Sequence, residues 1–203
     1  MGGSGGLPGG GANSACARHR YAYIDAVLGC LRFIGILNAA IWLGAGIFFT
    51  VAVGPAIFSP EMKELMGPTA FPFYSGGVAL IIFKRFFLLQ YICGTIGLLH
   101  LCAEAFYLGK RPPTGATTLV AVMLSVGLLG GLVLQPRMTE WRHTMYTGAT
   151  SEQKEQAHHT FGMWHGISQG VNLLVLAGLL FHLVRLSRPP EIGRFSNFGK
   201  LRS

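Results

Sequence analysis

Four apolar stretches, each close to a bilayer in length, alternate with charged loops in a chain of 203 residues. They run roughly from Phe33 to Phe58, Phe86 to Leu108, Thr117 to Gln135 and Phe161 to Leu186. A helix needs ~20 mostly apolar residues to cross the hydrocarbon core. A transmembrane barrel would instead show ~10-residue segments of alternating hydropathy, which this chain lacks. The pattern predicts an all-α fold, an integral membrane four-helix bundle. Charged residues make up 12% of the chain, against about 25% in soluble domains. The 29 glycines suit helices that pack closely in lipid.

Lys and Arg orient the bundle, because basic residues concentrate in cytoplasmic loops. One side carries Arg18, Arg20, Arg32, Lys110, Arg111, Arg185, Arg188, Arg194, Lys200 and Arg202, with Asp25 and Glu191 as its acids. The other side balances Lys63, Lys84, Arg85, Arg137, Arg142 and Lys154 against Glu61, Glu64, Glu140, Glu152 and Glu155. Both termini are therefore expected in the cytoplasm. The pI near 9.7 then reflects topology and basic tails on anionic lipid, and no nucleic-acid partner is expected.

Three regions follow: a Gly-rich, disordered N-terminal segment over 1–30, the transmembrane domain over 31–187, and a basic tail over 188–203. Within the first, YAYIDAVLGC reads as a short interfacial helix. The start of the chain lacks the apolar core of a secretory signal, so the first span serves as the targeting segment. Cys16 and Cys30 fall on the reducing side. Cys93 and Cys102 stand about 13.5 Å apart along one helix, too far to bridge, and read as small apolar filler.

The loops carry structure of their own. Gly54-Pro55 weakens the end of the first span, and Ser59-Pro60 opens a short acidic-basic segment, PEMKELMG. The stretch from Gly67 to Phe83 reads as re-entrant or interfacial, or else as the start of a tilted helix from about Val78 with Lys84 and Arg85 snorkelling. Pro136 is expected to kink or break the third helix. Thr150 with Gln153 forms a capping-box start, so the last two helices project beyond the membrane as a hairpin.

The fourth span carries the most informative polar pattern. At helical periodicity His158, His165, Ser168, Gln169 and Asn172 fall within an arc of about 100°. Gly162, Gly166 and Gly170 form a strip at its edge where another backbone could approach. Polar side chains facing lipid are costly, so this arc must face the bundle. Depth matches it with Arg85, Gln90, Gln135 and Arg137, giving a candidate polar pocket in the outer half. A structural role stands beside the binding one, because Ser, Gln and Asn often join membrane helices at about 0.6 kcal/mol each. Nearer the cytoplasm His100 and Glu104 are one turn apart and could pair. Arg137, beside Pro136, is expected to fold over the bundle mouth onto the Phe71–Tyr74 segment or the start of the last helix.

His143, His158, His159 and His165 cluster near one surface, but their spacing does not fit one metal ion, since seven residues on a helix rise about 10.5 Å. No cofactor is predicted. No nucleophile elbow, HExxH, CxxC or phosphate loop is present, so the chain does not read as an enzyme.

Several motifs occur in the order of a known family. They are Trp42-Leu43-Gly44, Gly54-Pro55-Ala56-Ile57-Phe58, Phe71-Pro72-Phe73-Tyr74, Gln135-Pro136-Arg137 and Phe161-x-x-x-His165-Gly166-x-Ser168-x-x-x-Asn172. With them the chain resembles the small membrane family typified by transmembrane protein 205 and its bacterial relatives. The resemblance implies a four-helix bundle of unestablished activity in a bacterial inner membrane. That family is distantly similar to four-helix proteins of copper handling and haem synthesis, which use a His early in the first helix. Here that place reads Phe33-Ile34-Gly35-Ile36. The leading expectation is a non-enzymatic binding or accessory component in the lipid bilayer, alone, as a homo-oligomer or in a larger complex. The alternatives are a small oligomeric transporter, with Gly127-x-x-x-Gly131 as a packing face, and a haem- or copper-binding redox enzyme.

Overall fold

The computed structural model describes residues 11–109 and 111–188, with side chains from residue 26 onward. It is all-α. Helix α1 (Gly11–Phe48) passes through a π-helical turn (Phe49–Val53) into the short α2 (Gly54–Ile57). A small helix α3 (Pro60–Met66) leads to α4 (Phe71–Leu108). Helix α5 (Thr114–Leu129) passes through a second π turn (Gly130–Leu134) into α6 (Gln135–Thr147), and α7 (Ser151–Ser187) closes the described chain. Four rods are long and apolar enough to cross a membrane: Ala26–Ile57, Phe71–Leu108, Thr114–Thr147 and Ser151–Ser187. They are called the first to fourth spans here. The end at which the described chain begins and stops, with Gly109, is the terminal end, and the opposite one is the hairpin end.

Several expectations change. Helix α1 already runs from Gly11, so YAYIDAVLGC continues into the first span instead of lying apart as an interfacial helix. The earlier Gly-rich residues and the tail beyond 188 lie outside the described residues. The second span starts at Phe71 with no re-entrant piece. Pro72 sits in its first turn, where a missing N–H costs nothing. Gly76 and Gly77, which read as breakers, are covered by Arg142, whose Cδ lies 3.1 Å from where a Gly76 Cβ would be. With 38 residues, α4 is about 57 Å long, roughly twice the hydrocarbon thickness. A rod of that length exceeds the hydrocarbon core it would cross.

Pro136 does not break the third span. A proline offers no N–H to the carbonyl four residues back and crowds it. The chain answers upstream of both helix prolines with one wide turn. The Gly54 N–H bonds Phe49 O, just before Pro55, and the Gln135 N–H bonds Gly130 O, just before Pro136. Both are i to i+5 bonds that keep the rod continuous.

Local caps follow the sequence. Ser59 accepts from the Met62 N–H and Thr150 from the Gln153 N–H, while the Gln153 side chain takes the Ala149 N–H. Gly109 ends the second span in the left-handed region at φ 59°, where glycine has no Cβ penalty.

The packed core lies toward the terminal end. Trp42, Cys93, Leu101, Val120, Met123 and Leu179 are buried against one another. Gly94 and Gly97 admit the Trp42 indole and the Asn38 amide, which donates to Cys93 O at 2.9 Å. Arg32 donates to Leu186 O, tying the last turn of α7 to α1. Cys30 and Cys102 are exposed and Cys93 is buried, all as free thiols. Cys102 therefore fills no core space.

Candidate functional site

Toward the hairpin end the four spans part around a cavity of about 860 Å³. Each π turn contributes to its wall: Phe49 and Thr50 from one, Gly130, Val133 and Leu134 from the other. The two proline-directed wide turns thus belong to the cavity's construction. Four phenylalanines form most of the apolar wall. Phe49 stacks on Phe86 with centroids 4.4 Å apart and meets Phe83 edge-on at 4.8 Å, while Phe87 completes the group. Trp141 and Trp164 stack at 6.3 Å beside the rim.

The fourth span supplies the polar side. His165, Ser168, Gln169 and Asn172 all line the cavity, as their shared arc predicts. Asn172 Nδ2 donates to Thr50 Oγ1 at 2.9 Å, and Thr50 passes its own proton to Gly46 O at 2.8 Å. Ser168 donates to His165 O within its own helix at 2.8 Å, and the His165 ring stacks on Phe161. Gln90 joins them from the second span. It is 6% exposed, and its amide has no hydrogen-bond partner among the described residues. Its Oε1 lies against Gly127, where a Cβ would stand only 3.0 Å away. The sealed polar atoms that lack a partner among the described residues are Trp42 Nε1, His100 Nε2, Arg142 Nε and His182 Nδ1, whereas the Gln90 amide is part of the cavity wall.

A smaller cavity of about 320 Å³ adjoins the first, and His165 and Ser168 line both. Gln135 lines this one and donates to Leu80 O at 3.2 Å. Arg137 lines the larger cavity but is exposed and has no hydrogen bond to the protein among the described residues. The role expected of it falls to Arg142. Arg142 Nη1 donates to Phe73 O at 2.7 Å, and its guanidinium lies 5.3 Å from the Phe73 ring centre. Tyr146 adds a bond to Pro72 O at 2.9 Å. The signal for Arg142 was the Gly76-Gly77 pair, which clears a surface for a flat side chain. Arg85 stands apart: Phe83, Phe86, Phe87 and Gln90 share one face of α4, and Arg85 is exposed off it. No carboxylate lines either cavity.

The glycine strip on the fourth span is open. A Cβ at Gly162, Gly166 or Gly170 would meet nothing within 4 Å. Gly127 and Gly131, by contrast, lie against the second span, at Gln90, Phe87 and Tyr91.

His100 and Glu104 do not pair. Among the described residues His100 is buried at 5% exposure and Glu104 is half-buried, one turn nearer the terminal end. The His100 ring lies over Gly35, where a Cβ would come within 2.5 Å of it. It also lies within electrostatic reach of His182, a buried residue the sequence reading passed over. Its signal was a lone imidazole deep in the last span. His100 Nε2 and His182 Nδ1 have no partner among the described residues. His143, His158 and His159 are exposed, and no three or more His, Cys, Asp or Glu among the described residues gather as a metal-holding group.

Residues 37–147, more than half of the chain, match a domain of unknown function. The chain belongs to the DUF4149 family. The match covers the first span from residue 37 and the whole of the second and third spans. The polar arc of the fourth span lies beyond it. No curated protein and no solved structure matches the chain. Within the DUF4149 match fall Gln90, both π turns and Arg142, so most of the cavity wall belongs to the family region.

Proposed function

We propose that this DUF4149 protein is a non-enzymatic binding or accessory component of a bacterial inner membrane, similar to the transmembrane protein 205 family. The observation that carries this reading is the Gln90 amide on the wall of a mainly apolar cavity, with no hydrogen bond among the described residues. An amide facing such a cavity has donors and an acceptor to offer a ligand. The non-enzymatic part rests on the hydroxyls. Thr50 and Ser168 both donate to carbonyls of their own helices, so neither is set against a base as an activated nucleophile would be. The accessory part implies membrane neighbours, as further copies or as a larger complex. Gly127 and Gly131 are spent inside the bundle, so such a neighbour meets other surface.

Orientation belongs to the same proposal. Arg32, Arg111, Arg185 and Arg188 lie toward the terminal end, which we assign to the cytoplasm. The cavity then falls in the outer half of the membrane. Mass spectrometry of the chain purified in mild detergent tests the binding role. We expect a small molecule to be retained by the wild type and lost from Gln90→Leu. Equal retention by both, or none by the wild type across several detergents, refutes a ligand site at Gln90.

A further inference from the structure

We infer that the cavity takes a neutral, flat-ringed lipid of the quinone class, received from the bilayer through the seam between the third and fourth spans. The inference rests on the binding role just proposed and names its ligand.

Two of the four seams are closed by packing at cavity level, and the one between the fourth and first spans is tied at the floor, with Pro55 and Phe58 lining the cavity while exposed above it. Phe49 stacks on Phe86 between the first and second spans. Gly130 and Gly131 bring the third span onto Phe87 and Tyr91 of the second, so closely that a Cβ at either would overlap them. The Asn172–Thr50 bond ties the fourth span to the first. The third and fourth spans meet on one side of the cavity in the Trp141–Trp164 stack, and on the other where Met123 packs on Gly178. Between those contacts Leu129, Val133 and Ile167 line the cavity while remaining exposed. An opening walled by aliphatic side chains at membrane depth suits a molecule already dissolved in lipid.

The chemistry of the wall selects the ligand. Polar side chains stand at two depths, with Asn172 already bonded to Thr50. Gln90 and Asn172 are near the floor, and His165 lies two turns toward the rim, about 10.5 Å along the helix. An ordinary phospholipid keeps its polar head at the interface and offers only chain to the floor, leaving Gln90 unmet. Arg137 at the rim is the one fixed charge lining this cavity, and no carboxylate is present to favour a cationic head. The ligand therefore needs acceptors below headgroup level, no positive charge, and enough apolar surface to reside in the bilayer. A quinone ring has carbonyl acceptors on opposite edges and a flat face for the phenylalanine wall. Its isoprenoid tail would lie in the open seam.

Trp141 and Trp164 border the site and report on it. The full chain in detergent micelles is titrated with decylubiquinone while tryptophan fluorescence is read. We expect saturable quenching, with half-saturation raised about tenfold in Gln90→Leu, as loss of one buried donor implies. Ile167→Trp, placed in the seam, is expected to slow the approach to saturation with half-saturation little changed. Circular dichroism and melting temperature establish that each variant is folded. Quenching that is linear, or that saturates identically in Gln90→Leu, overturns the quinone assignment. If a phospholipid or fatty acid then co-purifies with the wild type and is lost from Gln90→Leu, the binding role survives and only its ligand is wrong. If nothing is retained, both fall.

Discussion

Arg142 and Arg137 are five residues apart on α6, yet they meet different surroundings. The sequence places a proline beside Arg137, and a proline frees carbonyls one turn upstream that a guanidinium could meet. The carbonyls were instead dealt with by the backbone, through the wide turn ending at Gln135. Arg142 found the better partner because Gly76 and Gly77 leave α4 bare beneath it. Its fork combines a bond to Phe73 O with a cation–π contact. Lysine keeps the charge but loses the planar stack and the directed N–H. Arg142→Lys is expected to lower stability by about 1 kcal/mol, given one hydrogen bond at a partly exposed site. Arg137→Lys is expected to change it by less than about 0.5 kcal/mol. A detergent melting series on both variants reads the difference, and equal shifts would mean that the Phe73 contact contributes nothing.

Among the elements, the spans and caps were legible and the turns between them were not. Hydropathy length identified four spanning helices because a bilayer imposes one length on each. Thr150 and Gln153 announced the start of α7 because capping chemistry is local. The arc from His165 to Asn172 pointed inward because only helical periodicity and lipid cost decide it. The start of α4 was missed because Pro72, Gly76 and Gly77 read locally as breakers, and only Arg142 from another helix makes them a packing surface. His100 was misassigned to Glu104 for the same reason: its neighbour Gly35 is distant in sequence. The π turns were half legible, since proline signalled a disturbance but not its form. They yield a prediction. Pro136→Ala restores the N–H that an ordinary α turn requires, so the Gly130–Leu134 turn is expected to tighten and the cavity wall with it. Melting temperature should rise or hold while decylubiquinone quenching weakens severalfold. Quenching that is unchanged in a variant whose helix content is intact would show that the wide turn does not shape the site.

At the scale of the whole molecule, packing and charge divide along the same axis. The dense core and the Arg32–Leu186 tie lie toward the terminal end, and the cavity lies toward the hairpin end. Arginines gather at the first, whereas Lys63, Lys84, Arg85, Arg137, Arg142 and Lys154 are mixed with Glu61, Glu64, Glu140, Glu152 and Glu155 at the second. On the proposed orientation that unbalanced basic end faces the cytoplasm. The α6–α7 hairpin then stands outside, with the cavity rim beside the outer leaflet. Single cysteines in a background lacking the native ones decide this. In intact cells Ser151→Cys is expected to react with an impermeant maleimide, and Ser187→Cys only after permeabilisation. The reverse pattern would turn the bundle over and place the cavity rim at the inner leaflet. Because the seam between the third and fourth spans opens to lipid either way, a quinone-class ligand would survive that reversal, while the leaflet from which it is drawn would change.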